Sequence, residues 1–265
     1  MSLLAIKALA ILVILLTAIL GGLAAMRTRR ARDADRLFAL GSLFGAGVFL
    51  GAGLIHVLPD SVGLFAQLYP GIDYPVPFAI AAIGLIAVLA VDRLGHWLQA
   101  RADTVRHAGD GASGTASAMI LLMVLSFHSI LAGAALGVED SAANSLVLLL
   151  AVVAHKGSAA FALTSGLLRA GPAGDSPRRV RVLLMLFAVM TPLGILLGTG
   201  LQATLDGNAA RIAETLFDAF AAATFVYVAT LEIIGPEFRA HGRSGAKLGA
   251  LTAGLAVMAL VALWL

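Results

Sequence analysis

The 265-residue chain contains no cysteine, which excludes disulfide frameworks, thiolate nucleophiles, iron–sulfur clusters and cysteine-based zinc sites. Charged residues make up only 12% of the chain, about half the share of a soluble globular protein, and aromatic residues make up 6%. No segment alternates strongly between polar and apolar residues, so an outer-membrane barrel is not expected. Apolar residues instead form 60% of the chain, and the mean hydropathy is +0.97. These values indicate a polytopic helical membrane protein.

A membrane-spanning helix needs about 20 apolar residues. The chain has eight apolar stretches close to that length, bounded by charges or Pro/Gly clusters, near residues 2–26, 37–58, 77–98, 117–138, 144–169, 182–203, 211–234 and 248–265. The apolar part of the first is too long for a signal peptide, and an arginine cluster follows it as in a stop-transfer segment. We therefore predict an all-α protein whose residues 1–265 form a single transmembrane domain with eight helices and a polar loop at 99–116.

Basic residues are distributed unevenly between the loops. Fifteen of the 18 lysines and arginines fall after the first, third, fifth and seventh spans, whereas the opposite loops carry acids and one cation, Arg211. By the positive-inside rule the basic side is cytoplasmic, and both termini lie outside. The net charge of +3 therefore reflects topology and lipid contact, and no nucleic-acid partner is expected. The compact loops favour the inner (plasma) membrane of a bacterium.

Few polar side chains fall near the middle of a span, where they are costly and therefore functional candidates. His128 lies in the fourth span, and His155 and Lys156 lie in the fifth. Since these two spans run antiparallel with a short connection, we expect the three side chains to meet at a similar depth. Thr191 precedes Pro192 in the sixth span, where a proline kink frees a carbonyl group.

Two further spans carry polar residues next to prolines. His56 and Asp60 are four residues apart in the second span, on one helix face, and Glu232 lies near the cytoplasmic end of the seventh. When Phe49 is aligned with Phe225, His56 falls on Glu232, and the two spans run in opposite directions. An inverted repeat of this kind is typical of secondary transporters. It places His56 and Asp60 at an outer mouth and Glu232 at an inner one.

Four separate segments carry recognisable motifs: FLGAGLIHVLPD in the second span, FHSILAGAALG in the fourth, AHKGSAAFALTSG in the fifth, and TPLGILLG followed by TFVYVATLEIIGPE in the sixth and seventh. In their order and span positions these motifs resemble the ZIP (Zrt/Irt-like) family of divalent metal transporters. The resemblance covers nearly the whole chain. It implies eight helices in a 3+2+3 arrangement with the metal path between the helices that carry the motifs.

The resemblance also implies metal-site residues. His128 with Ser129 corresponds to the metal-binding pair on the fourth helix, and His155 with Lys156 corresponds to the fifth-helix motif. The remaining implied metal-site residues are His56, Asp60 and Glu232.

The chain departs from the family pattern at three positions. Ala132 stands where the fourth-helix motif has glutamate. Ala159, four residues after His155, stands where the fifth-helix motif has a second glutamate. Thr191 occupies a position where some family members have glutamate. The central site is therefore expected to contain two imidazoles, a hydroxyl and the ammonium of Lys156.

Three functions remain in competition. The leading one is transport of a divalent cation into the cytoplasm, with Zn²⁺ favoured because it accepts imidazole ligands, and with Fe²⁺, Mn²⁺ and Co²⁺ left open. The second is a non-transporting or weakly active metal-binding homologue, motivated by the missing carboxylates. The third, an intramembrane metallohydrolase, lacks a base near the histidines. No enzyme activity and no prosthetic group are expected. The partners are a divalent ion and the lipid bilayer, and a homodimer is compatible with the sequence.

Overall fold

The computed structural model describes residues 2–106, 112–170, 176–205, 207–240 and 242–263. Within these ranges there is no β-strand, and eight helices are long and apolar enough to cross a membrane. They are α1 (Leu3–Thr28), α2 (Ala34–Leu68), α3 (Val76–Arg106), α4 (Ala112–Val138), α5 (Ala142–Arg169), α6 (Pro177–Gln202), α7 (Gly207–Arg239) and α8 (Ser244–Val261). The predicted all-α, eight-span fold is confirmed.

Several helices extend beyond the apolar stretches of the sequence. The region 99–116, expected to be a polar loop, is helical up to Arg106 and again from Ala112, while residues 107–111 lie outside the described part of the chain. Serine side chains cap the start of three of the helices, because a serine oxygen can accept from an otherwise unpaired amide of the first turn. Ser2 accepts from the amide of Ala5 at the start of α1. Ser141 accepts from the amide of Asn144 at the start of α5, and Ser176 accepts from that of Arg179 at the start of α6.

The helices pair in a pattern that repeats itself. α1 packs on α5 and α6 packs on α4, while α2 packs on α8 and α7 packs on α3. α2 also contacts α5, just as α7 contacts α4. The pattern is unchanged when α1–α3 are exchanged with α6–α8 and α4 with α5, as in a 3+2+3 inverted repeat. Phe49 stacks on Phe225, its counterpart in the alignment, with ring centroids 5.3 Å apart and an interplanar angle of 11°.

The two helices that carry the aligned motifs are both interrupted by a π-helical turn. The turns lie at Ala52–Val57 in α2 and Val228–Ile234 in α7, and each is followed two residues later by a proline, Pro59 or Pro236. A proline inside a helix has no N–H to donate, and its ring clashes with the carbonyl four residues earlier. A wider turn accommodates this loss, and such turns are frequent at functional sites.

Close backbone contact joins α4 to α6. Gly133 and Gly137 of α4 lie against Gly194 and Gly198 of α6, and a Cβ atom added to any of the four would meet a backbone oxygen of the facing helix. Small residues permit such an approach, which is how helices associate tightly in a lipid environment. This contact fixes the depth of His128 on α4 relative to Thr191 on α6.

We expect Gly194→Ala to weaken the contact between α4 and α6, because the added methyl group would meet the carbonyl oxygen of Ile130. Overpacking of this kind costs about 1–3 kcal/mol. Gly200→Ala is the matched control, since a Cβ on Gly200 of the same helix has no atom within 4 Å. Thermal unfolding in detergent should show a melting temperature several degrees lower for Gly194→Ala only. Equal melting temperatures for the two variants would contradict the described contact.

Candidate metal site

The histidines of α4 and α5 meet inside the protein, as the sequence analysis expected. His128 is 3% exposed and His155 is 4% exposed. Their ring centroids lie 5.7 Å apart, and the rings meet edge to face at 72°. The ring of Phe225, on α7, covers both of them, with centroid distances of 3.7 Å to His128 and 4.7 Å to His155.

The hydrogen bonds around His128 determine its tautomer. Its Nδ1 atom lies 2.8 Å from Thr224 Oγ1 and 3.2 Å from the carbonyl oxygen of Ala221, both on α7. Thr224 donates its own hydroxyl proton to the Ala221 carbonyl. Since a carbonyl oxygen can only accept, Nδ1 must be the atom that carries the proton. The Nε2 atom of His128 therefore presents a free lone pair when the ring is neutral.

Two ring nitrogens of this pair have no hydrogen-bond partner among the described residues: Nε2 of His128 and Nδ1 of His155. Buried polar atoms are rarely left unpaired, because losing water without gaining a partner is costly. A neutral imidazole with its Nδ1 proton held by another residue is the usual form of a metal-ligating histidine. The geometry of His128 thus suits metal binding.

Lys156 lies next to this pair and ties three helices together. Its ammonium group, on α5, donates to Ser129 Oγ on α4 and to Thr191 Oγ1 on α6, at 2.9 Å in each case. Its third side faces the ring of Phe187, with Nζ 3.8 Å from the ring centroid. Ser129 in turn donates to the carbonyl oxygen of Leu125, so its hydroxyl proton is already in use. For Ser129 to bind a metal ion, its one remaining lone pair would have to serve.

Carboxylates do not gather around the histidine pair. In the part of the chain that the structure describes, no three His, Asp or Glu side chains come together closely enough to hold a metal ion. Ala159, one of the positions where glutamate is absent, is buried in the apolar core, and Ala132 is half-buried. An ion at His128 and His155 would therefore have two protein nitrogens and complete its shell with water.

A cavity of about 740 Å³ opens on the side of the protein where α2, α4 and α6 end. His56 and Asp60 lie at this side, with His56 Nδ1 2.9 Å from Asp60 Oδ2. His56 is buried, whereas Asp60 is 52% exposed and lines the cavity. The pair therefore extends from the cavity wall at Asp60 to the buried side chain of His56.

A smaller cavity, of about 350 Å³, opens on the opposite side and is lined by Glu232. Glu232 accepts a hydrogen bond from Tyr227 at 3.0 Å. Near the mouth, Arg169 forms a 2.6 Å ion pair with Glu237, whose main-chain oxygen accepts from Lys247. The two cavities thus lie on opposite sides of the histidine pair.

Comparison with known proteins gives the family. The family model of the ZIP zinc transporters matches residues 4–110 and 99–262. The chain belongs to the ZIP zinc transporter family. Membership supports transport of a metal ion, zinc, by an integral membrane protein.

Individual members of the ZIP family are similar over most of their length. Zinc transporter ZIP2 of Mus musculus is 30% identical, and the alignment covers 86% of each chain. Zinc transporter ZIP1 of Mus musculus is 31% identical over 84% of this chain and 78% of its own. Zinc transporter 1 of Oryza sativa is 29% identical over 87% and 76% respectively.

Four charged side chains of this ZIP protein line a cavity or are buried, although the sequence pattern did not single them out as site candidates. Glu214 and Asp218 of α7 line the larger cavity. Asp92 of α3 is buried and lies 3.3 Å from Nε2 of His96, and Lys7 of α1 is buried against α4 and α6. The four-residue spacing of Glu214 and Asp218 within an apolar span is a sequence signal that could have found the first two.

We expect Thr224→Val to weaken metal binding by about tenfold to a hundredfold, because the proton on His128 Nδ1 would lose its closest acceptor. Valine keeps the shape of threonine. Thr230→Val is the matched control, since Thr230 lies on the same helix and donates only to the carbonyl of Val226. Isothermal titration of the purified proteins with Zn²⁺ measures the difference. Equal affinities would show that Thr224 does not orient His128.

Proposed function

We propose that this chain carries a divalent cation, Zn²⁺ first, into the cytoplasm by way of His128 and His155. The observation that supports this most is the pair of unpartnered ring nitrogens, buried between two cavities that open on opposite sides. Two buried imidazoles with unpaired nitrogens stabilise an apolar core less than apolar side chains would. They suit an ion that arrives, is held briefly and leaves.

The proposed route runs from the larger cavity, through the histidine pair, to the smaller cavity. The ion enters the larger cavity, passes Asp60 and His56, binds at His128 and His155, and leaves past Glu232. The two π-helical turns contain His56 and Glu232, so each end of the route lies beside a locally widened helix. The inverted repeat relates these two turns to each other.

Zinc is the favoured ion because of the ligands on offer. Zn²⁺ binds imidazole nitrogen at about 2.0–2.1 Å and is commonly four-coordinate, so two histidines and two waters would satisfy it. Fe²⁺, Mn²⁺ and Co²⁺ also accept imidazole, and affinity order alone does not decide selectivity. Competition between these ions for uptake decides among them.

Lys156 limits how tightly an ion can be held. It places a positive charge beside the histidines, and no carboxylate lies within 4 Å of its ammonium among the described residues. We propose that Lys156 takes the place of a second metal ion and restricts the site to one. Weak binding favours release, which a transporter needs.

The second candidate function is that of a metal-binding homologue that does not transport. Its support is the central site itself, where Ala132 and Ala159 stand in place of glutamates and two histidines remain. Such a protein would bind an ion from one side and fail to pass it on. Uptake into liposomes separates the two functions.

We expect wild-type protein in liposomes to accumulate ⁶⁵Zn²⁺, and His128→Ala or His155→Ala to reduce the initial rate at least tenfold. Each substitution removes one of the two nitrogen ligands from the proposed site. His96→Ala is the matched control, since His96 lies on α3 and is half-exposed. Protein content and melting temperature must match the wild type for the comparison to count.

Two outcomes of this assay would contradict the proposal. Full uptake by both histidine variants would remove the central site from the route. Absence of uptake by wild-type protein that still binds Zn²⁺ would favour the non-transporting homologue.

The direction of transport depends on the orientation of the chain, with both termini outside. In cells, we expect a cysteine introduced by Asp60→Cys to react with an impermeant maleimide added outside. One introduced by Ser176→Cys should react only after the membrane is opened. Because the wild type has no cysteine, any label reports the introduced site alone. The opposite pattern would reverse the orientation and, with it, the proposed direction.

A further inference from the structure

The wall of the larger cavity carries five acidic side chains. Glu214 and Asp218 lie one helical turn apart on α7, opposite Asp60 of α2 and Glu139 and Asp140 of the connection between α4 and α5. Asp218 lies within electrostatic range of Glu214, Asp60 and Glu139. The cavity thus brings together acids from three separate parts of the chain.

Asp218 lies one helical turn deeper along α7 than Glu214. It is 8% exposed, and none of the described residues forms a hydrogen bond or ion pair with it. A buried carboxylate normally pairs with a cation or several donors, because losing its hydration is costly. Its side chain lines the cavity, so a partner from the solvent has access to it.

Two cations, Arg211 and Lys7, lie near these acids but form their hydrogen bonds with other groups. Arg211 donates to Gln67 at 2.7 Å, and Lys7 donates to the Gly137 carbonyl and to Gln202 Oε1. Neither forms an ion pair with a described carboxylate. The cavity wall therefore carries more acidic than basic side chains, and ionised acids in a cleft concentrate ions of the opposite sign.

We propose that this cavity is a capture site for a hydrated divalent cation, with Asp218 and Glu214 as its main anchors. The acids do not form a closed cage, since no three of the described side chains meet in coordination geometry. The ion therefore keeps most of its water. A volume of about 740 Å³ accommodates it, because six waters occupy roughly 180 Å³.

The consequence for transport rests on the proposed function. Asp60 lines the same cavity and pairs with His56, so a captured ion lies beside the start of the proposed route. A concentrated local supply would raise the rate of loading at low external metal concentrations without changing the rate at saturation.

The test is a Mn²⁺ titration of purified full-length protein, with free Mn²⁺ measured by electron paramagnetic resonance. The background carries His128→Ala and His155→Ala, which removes the central site. Asp218→Asn and Glu214→Gln are compared with Asp73→Asn, an exposed acid on the same side that does not line the cavity. Each variant replaces one carboxyl group by an amide of nearly the same shape, so the control accounts for the general effect of losing an acid on this side.

We expect the background protein to bind Mn²⁺ weakly, and Asp218→Asn to weaken that binding about tenfold. Glu214→Gln should weaken it severalfold, and Asp73→Asn less than twofold. No Mn²⁺ binding by the background, or equal binding by Asp218→Asn and Asp73→Asn, would overturn the capture site. If the background does not fold, the same ratios are read from the weaker class of sites in the protein with both histidines.

Uptake measurements distinguish failure of this inference from failure of the proposed function. In liposomes, Asp218→Asn should raise KM severalfold and leave kcat unchanged, whereas Asp73→Asn should change neither. Mn²⁺ binding that depends on Asp218, without any wild-type uptake, would keep the capture site and reject transport. Uptake that depends on His128 but not on Asp218, at every metal concentration, would keep transport and reject the capture site.

Discussion

The buried ammonium of Lys156 is the interaction on which the centre of the protein depends. It donates hydrogen bonds to Ser129 and Thr191. Ser129 directly follows His128 in the chain, and Lys156 directly follows His155. Fixing the distance between Lys156 and Ser129 therefore fixes the register of α4 against α5 and brings the two imidazoles together. In a lipid environment no water competes for these hydrogen bonds, so a few of them can set the positions of whole helices.

The charges of this ZIP protein are distributed unevenly between its two sides. Acidic residues line the larger cavity, Lys156 lies beside the histidines, and arginines are concentrated on the other side. Under the proposed function, the larger cavity attracts the ion and the central histidines hold it weakly. In the proposed scheme, capture at the larger cavity compensates for weak binding at a centre where Ala132 and Ala159 stand in place of the usual glutamates.

The depth of a side chain along its span could be predicted from the sequence, whereas the neighbour or cavity that its helix face contacts could not. His128 and His155 were expected to meet because a helix rises uniformly and the connection between α4 and α5 is short. The alignment made Phe49 and Phe225 counterparts, and only the structure shows that their rings stack on each other. Glu214 and Asp218 were passed over because they lie in the first turns of a predicted span, and only the packed structure shows that both face a cavity. The π-helical turns arise where prolines meet the constraints of neighbouring helices, which local sequence does not contain.

The proposed route through a buried centre has an electrical consequence. A divalent ion on this route carries its own two positive charges through the membrane field, whatever fixed charges lie beside the histidines. Each elementary charge gains about 2.3 kcal/mol per 100 mV, so an inside-negative potential of about 100 mV contributes about 5 kcal/mol to each divalent ion that moves inward. For the inward transport proposed above, the membrane potential therefore favours accumulation of the ion.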